Sequence, residues 1–176
     1  MDKRTEQQAG VLYAAFSYIL WGVLPVYWKL LNHVNADEIL ANRVFWSFFF
    51  IAAILVVNKK WGLFTGTLLG LAQNKKQLAA LAVASILISI NWFMYIWAVN
   101  TDQMIEASLG YYINPLVSVL LGMVFLKERL SLLQYISFAF AGIGVLIMTI
   151  SYGQFPWIAL TLAISFGLYG LAKKLI

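Results

Sequence analysis

GYYINPLVSVLLGMVFLKERLS, Gly110 to Ser131, decides how this chain is to be read. It opens on two tyrosines, an asparagine and a proline, runs apolar from Leu116 to Leu126, and stops at Lys127, Glu128 and Arg129. An apolar run ended by a charge cluster is the second part of a membrane span. Pro115 lacks a backbone N–H and clashes one turn back, which predicts a helix broken near its middle with a freed carbonyl near Tyr111. In a bilayer such a carbonyl must face protein or a wet cavity. The polar, aromatic start of the helix is therefore expected to line something, and its apolar remainder to anchor it.

Composition agrees with a chain built for lipid. Of the 176 residues, 62% are hydrophobic and 11% charged, where a soluble domain carries about 25% charged residues. There is no cysteine, which excludes a disulfide framework and thiolate metal sites. The formal net charge of +5 comes without a basic patch interleaved with aromatics, so it does not point to nucleic acid. The length leaves room for about six spans of ~20 residues.

Outward from Gly110–Ser131, the spans fall into place. Met1–Ala9 is a polar lead with Lys3 and Arg4. Span 1 is expected at Gly10–Leu31; its length, with Trp21, Pro25, Tyr27 and Trp28, separates it from a cleaved signal peptide. Span 2 covers Glu38–Val57, span 3 Leu78–Val99, span 4 Met104–Leu126, span 5 Ser131–Ile150 and span 6 Trp157–Ala172. Between Lys59/Lys60 and Lys75/Lys76 lies WGLFTGTLLGLAQN, apolar but, at ~14 residues, too short to cross, and it is expected to lie along the headgroups. Gly62, Gly66 and Gly70 have the spacing of a helix-dimer motif, which a segment that does not span has little use for.

Lys and Arg give the orientation. With both termini on the cytoplasmic side, Lys3, Arg4, Lys59, Lys60, Lys75, Lys76, Lys127, Arg129, Lys173 and Lys174 all fall inside, ten of the twelve basic residues. The outer turns carry Asp37, Glu38 and Asp102 instead.

Ser17-Tyr18-Ile19-Leu20-Trp21-Gly22 in span 1 matches Ser165-Phe166-Gly167-Leu168-Tyr169-Gly170 in span 6, class for class. Five spans separate their starts, so the second copy would enter the membrane inverted. Inverted repeats are a transporter signature, with the site near the midplane between the copies. The division expected is residues 1–150 as a first five-helix repeat and 151–176 as the first helix of an inverted second one, the chain being an amino-terminal fragment. The run from Ile88 to Val145 resembles the RarD branch of the EamA family, in the drug/metabolite transporter superfamily. Pro115, the Glu128-Arg129-Leu130 stop, and Gly142 with Gly144 carry the family pattern. Asn91-Trp92, Tyr95 through Asn100, and Ser108-Leu109-Gly110-Tyr111 carry the branch. The resemblance implies an all-α polytopic membrane bundle, ten helices in two inverted repeats, in a bacterial inner membrane.

Candidate site residues are those whose chemistry is out of place in lipid. Lys29 is close enough to the outer end of span 1 to snorkel. Arg43 lies about 8 Å below Glu38 at 1.5 Å per residue, where a charge must be paired or wet. Glu106 enters span 4 at a similar depth. An Arg43–Glu106 ion pair locking spans 2 and 4 is one reading; a vestibule charge that meets substrate, with Glu106 taking a coupling proton, is the other. Asn91 either bonds across helices or faces a cavity, with Tyr95 one turn on. Tyr111, Tyr112 and Asn114 stand where Pro115 loosens span 4. Trp21 belongs to an aromatic face of span 1, which is ordinarily packing. The stretches Gly22–Pro25, Asn91–Tyr95 and Tyr111–Pro115 share one depth, and together they describe a cavity. The expected substrate contacts are thus Trp21, Arg43, Asn91, Tyr95, Glu106, Tyr111, Tyr112 and Asn114, with Gly22, Pro25 and Pro115 as hinges.

The function class that follows is a secondary carrier for a small organic metabolite or drug, working by alternating access without a cofactor or metal. A structural or regulatory membrane subunit is the alternative, although it needs no polar cluster at mid-depth. An enzyme fits poorly: His33 is the single histidine and lies in an outer turn, and no metal-ligand cluster or paired carboxylates occur. A hydrophilic pore is disfavoured because no span carries a repeated polar stripe.

Overall fold

Helix boundaries follow from where the apolar runs meet charge and turn residues. The computed structural model describes residues 3–174 and 176, with side chains from Gln8 onward; Met1 and Asp2 of the polar lead lie outside the described residues. Seven helices occur among them: α1 (Lys3–Leu30), α2 (Ala36–Val57), α3 (Trp61–Gln73), α4 (Lys75–Asn100), α5 (Met104–Phe125), α6 (Leu132–Tyr152) and α7 (Trp157–Lys173). At the charge cluster after α5, Lys127 turns left-handed at φ 54° and points the Glu128 N–H back to the Gly122 carbonyl. A capping box of Ser131 and Gln134 then starts α6, and Gly153 ends it at φ 73°, a backbone conformation glycine adopts without strain.

The fold is an all-α membrane bundle. Among the described residues five helices are long and apolar enough to cross a bilayer: α2, α4, α5, α6 and the Gln8–Leu30 part of α1. The apolar α7 has 17 residues and α3 has 13, about 25 and 20 Å at 1.5 Å per residue, against a hydrocarbon core of about 30 Å. So α7 sits at the short end of a spanning length, and α3 falls below it.

Helix α4 is the hub, packing against α1, α2, α3, α5 and α7. Helix α7 lies in the groove between α4 and α5, where small residues let backbones approach. A Cβ added at Gly110 would stand 3.1–3.2 Å from Leu162 Cβ and from the Ala159 backbone. One added at Gly167 would stand 2.8 Å from Leu121 and 2.9 Å from Val117. Those pairings match the start of α5 to the start of α7 and the middle to the middle, so the two run parallel. Against α4 the order reverses, with Trp97 stacked on Trp157 and Asn91 bonded to Ser165, so α4 and α7 are antiparallel.

Two expectations are corrected here. Pro115 does not break its helix: α5 continues from Met104 to Phe125 through it. One proline deletes one donor, and the bonds on either side of the gap still hold the turn. The Arg43–Glu106 ion pair is absent. Helices α2 and α5 do not pack against each other; α4 touches both, so two charges at equal depth face different neighbours.

Candidate functional site

Four helices surround a cavity of about 150 Å³ lined by Trp21 of α1, by Asn91, Trp92 and Tyr95 of α4, by Gly110, Tyr111 and Asn114 of α5, and by Leu162 and Phe166 of α7. Helical periodicity sets the wall on α4, where Asn91 and Tyr95 are one turn apart and Trp92 is their neighbour. On α5, Gly110 and Asn114 are four apart, with Tyr111 between them. Gly110 is glycine because α7 passes against it, and that close approach brings Leu162 to the cavity edge.

The aromatic rings form a connected series. Trp21 meets Trp92 with ring centroids 5.9 Å apart, Trp92 meets Tyr95 edge-on at 6.1 Å, and Tyr95 meets Tyr111 edge-on at 5.7 Å. Edge-to-face contacts at these distances add about 0.5–1.5 kcal/mol each beyond burial. They hold the rings in fixed relative orientation, and so shape the wall. Polar groups are few. Asn91 donates to the Leu162 carbonyl at 2.8 Å and to Ser165 Oγ at 3.0 Å, so its amide hydrogens are spent on tying α4 to α7. The Asn114 side-chain oxygen is buried without a partner. The wall can therefore stack on a flat or apolar body, while Asn114 accepts a hydrogen bond from it and the Tyr95 and Tyr111 hydroxyls offer further polar contacts.

Of the residues expected to contact substrate, Trp21, Asn91, Tyr95, Tyr111 and Asn114 come together at this cavity. Tyr112 does not. One residue past Tyr111 it is turned about 100° around the helix, and it is 60% exposed on the outer face of the bundle. Arg43 is not among the lining residues but stacks on one of them, its guanidinium carbon 3.4 Å from the Trp92 ring centroid and 6.0 Å from that of Trp28. Glu106 is elsewhere. It is 3% exposed, accepting the Ile158 backbone N–H at 2.7 Å and the Tyr152 hydroxyl at 3.1 Å. Its carboxylate thus serves the first turn of α7, whose preceding residue, Pro156, offers no capping side chain. Lys29 does not simply snorkel but pairs with Asp102. Gly22 has open space where a Cβ would go, and Pro25 lies inside an unbroken α1.

Trp92, Gly110, Leu162 and Phe166 were not among the expected contacts. Phe166 carried a signal, as the position after Ser165 in the repeat match. Leu162 carried none, because nothing in its own neighbourhood marks it. Trp92 stood in the family motif, and its spacing alone did not separate it from packing aromatics.

Comparison with known proteins places this architecture. The sequence profile of the EamA-like transporter family matches residues 8–150. Over 172 residues the chain is 53% identical to "Uncharacterized transporter YojE" of Bacillus subtilis (strain 168), a match covering 98% of this chain and 57% of that protein. It is 47% identical over 174 residues to "Protein RarD" of Salmonella typhi (99% of this chain, 58% of that one) and 46% identical over 174 residues to "Protein RarD" of Escherichia coli (strain K12) (99% and 57%). The chain therefore spans little more than half the length of these curated relatives. No solved structure gives a significant match. With its apolar helices and a family profile covering most of its length, the chain is a multi-pass membrane protein that belongs to the EamA-like transporter family, on the branch of the RarD proteins.

Proposed function

We propose that this chain supplies half of the solute path in a secondary carrier, which moves a small organic metabolite or drug across a bacterial inner membrane by alternating access. The observation that carries the reading is the cavity itself. Aromatic rings and two asparagines from α1, α4 and α5 converge with α7 away from the helix ends, where a helix that served only as an anchor would present aliphatic side chains. In this reading residues 1–150 form a first five-helix repeat, α7 opens an inverted second one, and both termini of the segment face the cytoplasm. Gly22, Pro25 and Pro115 are the points where the helices flex between states, since each lacks a Cβ constraint or a backbone hydrogen bond. Coupling to protons belongs to the proposal through Glu106, the one buried carboxylate among the described residues. A structural or regulatory subunit has no use for such a cavity, and an enzyme would need reactive groups that this wall lacks.

The test is solute counterflow in proteoliposomes containing the protein at its full natural length, with Trp21→Ala and Asn114→Leu as separate variants. Saturable exchange that both variants reduce, with helical content unchanged, is expected. Exchange indifferent to both substitutions would remove the cavity from the path.

A further inference from the structure

Among the described residues the guanidinium of Arg43 has no anion. Its Nη1 is buried with no hydrogen-bond partner, and the same is true of the indole Nε1 of Trp28, itself 5% exposed. Both groups only donate. The stacking of Arg43 on Trp92 satisfies the face of the guanidinium, whereas its five N–H donors lie in its plane and are untouched by that contact. Glu106, Asp102, Asp37 and Glu38 are otherwise placed. Glu106 is held by Ile158 and Tyr152, Asp102 by Lys29, and Asp37 and Glu38 stand exposed in the first turn of α2. Among the described residues no ion pair joins any of them to Arg43. A cation at this depth is costly unless it is paired or wet, and what is missing beside it is an acceptor bearing negative charge.

Trp92 connects this junction to the cavity, presenting its ring to Arg43 while also lining the wall. Resting on the reading of that cavity as the solute site, we infer that Arg43 and Trp28 form its acid-group subsite, and that the solute is an organic anion. Its carboxylate or other monovalent oxyanion lies edge-on to the guanidinium, and its apolar body lies along Trp92, Tyr95 and Tyr111. The guanidinium fork matches a planar oxyanion through paired N–H donors, which a lysine ammonium cannot reproduce.

The experiment uses protein at its full natural length in detergent, followed by tryptophan fluorescence and by melting temperature. Two matched sets are titrated: benzoate, benzamide and benzylamine, then phenylacetate, phenylacetamide and phenethylamine. Within each set the carboxylate should bind about tenfold or more tightly than the amide, the amine weakest, as charge-assisted bonds to one fork require. Arg43→Met should abolish the preference and Arg43→Lys should keep part of it. An amide or amine bound as tightly as its carboxylate overturns the inference while leaving the cavity as the solute site. No response to any of the six removes both. Should Arg43→Met fail to fold, the ranking in the unaltered protein decides alone.

Discussion

Asn91 donates across the α4–α7 interface to two acceptors, the Leu162 carbonyl and Ser165 Oγ, and the two bonds differ in what their loss leaves behind. Ser165 also bonds the Leu162 carbonyl of its own helix at 3.2 Å, so Ser165→Ala still leaves Asn91 its carbonyl partner. Asn91→Ala removes both interhelical bonds at once. Detergent melting should therefore show Asn91→Ala costing about 1 kcal/mol, the usual worth of a polar contact between membrane helices, and Ser165→Ala clearly less. An equal loss from the two would mean that the serine, not the carbonyl, carries the contact. Glycine substitutions give a second ordering. Gly110→Ala would press a methyl group against backbone atoms of Ala159, which cannot rotate away, whereas Gly170→Ala meets open space. The first should destabilise by about 1–3 kcal/mol, the cost of overpacking, and the second should sit near zero in the same melts. At this scale sequence was informative about which residues are out of place in lipid. Asn91, Tyr95 and Tyr111 were recognisable because polarity or a helix-breaker at mid-depth demands partners. Tyr112 does not join them at the cavity, because depth is shared by neighbours while direction is not.

Helix α7 depends on a carboxylate from another element for its first turn. Its preceding residue is Pro156, whose side chain offers no oxygen, so the Ile158 N–H, one of the unpaired donors of a helix start, takes Glu106 of α5 instead. Negative charge beside the positive end of the helix dipole adds to the bond. Glu106→Ala should leave the buried Ile158 N–H bare, at about 1–3 kcal/mol, while the Tyr152 hydroxyl turns to water. Glu106→Gln keeps an oxygen for Ile158 and should lose much less. Hydrogen exchange at Ile158, together with melting of both variants, separates the cases, and fast exchange in Glu106→Gln as well would show that charge rather than the bond holds the turn. The same pair bears on proton coupling: if exchange in vesicles keeps its pH dependence in Glu106→Gln, the residue is a cap and nothing more. The lengths of the helices were legible within a few residues, because apolar runs end at charges and at turn residues such as Ser131 and Gly153. What an end requires from a distant element was not, since a missing cap in Pro156 does not say which side chain will replace it.

Across the whole molecule the ends sort by charge. One end gathers Lys29 with Asp102, the Val34 carbonyl bonded by Asn100, Trp97 stacked on Trp157, and Glu106 with Tyr152. The other gathers Lys174 bonded to Glu128 at 2.8 Å and Gln77 bonded to the Ile176 carbonyl. The basic pairs at Lys59/Lys60, Lys75/Lys76 and Lys173/Lys174 lie at the helix ends nearest the second group, after the end of α2, at the start of α4 and at the end of α7. The order of the helices was readable from the chain, but their neighbours were not: α7 meets both α4 and α5, while α2 never meets α5. The hydrophobic pattern records how deep a residue lies and leaves open which helix it faces, which is why Arg43 and Glu106 suggested a pair. If the basic end is cytoplasmic, single cysteines at Asn35, Thr101 and Gln154, all exposed, should react in intact cells with a reagent that cannot cross the membrane. A cysteine at Lys75 should react only after the membrane is opened. The protein has no native cysteine, so the signal at each position is its own. The result at Lys75 is the decisive one, because it depends on α3 not crossing. With 13 residues and about 20 Å of rise, α3 cannot reach across about 30 Å of hydrocarbon. Labelling at Lys75 from outside would give α3 a crossing, reverse every later helix, and put Lys127, Arg129, Lys173 and Lys174 on the outer face, against the bias that orients membrane chains.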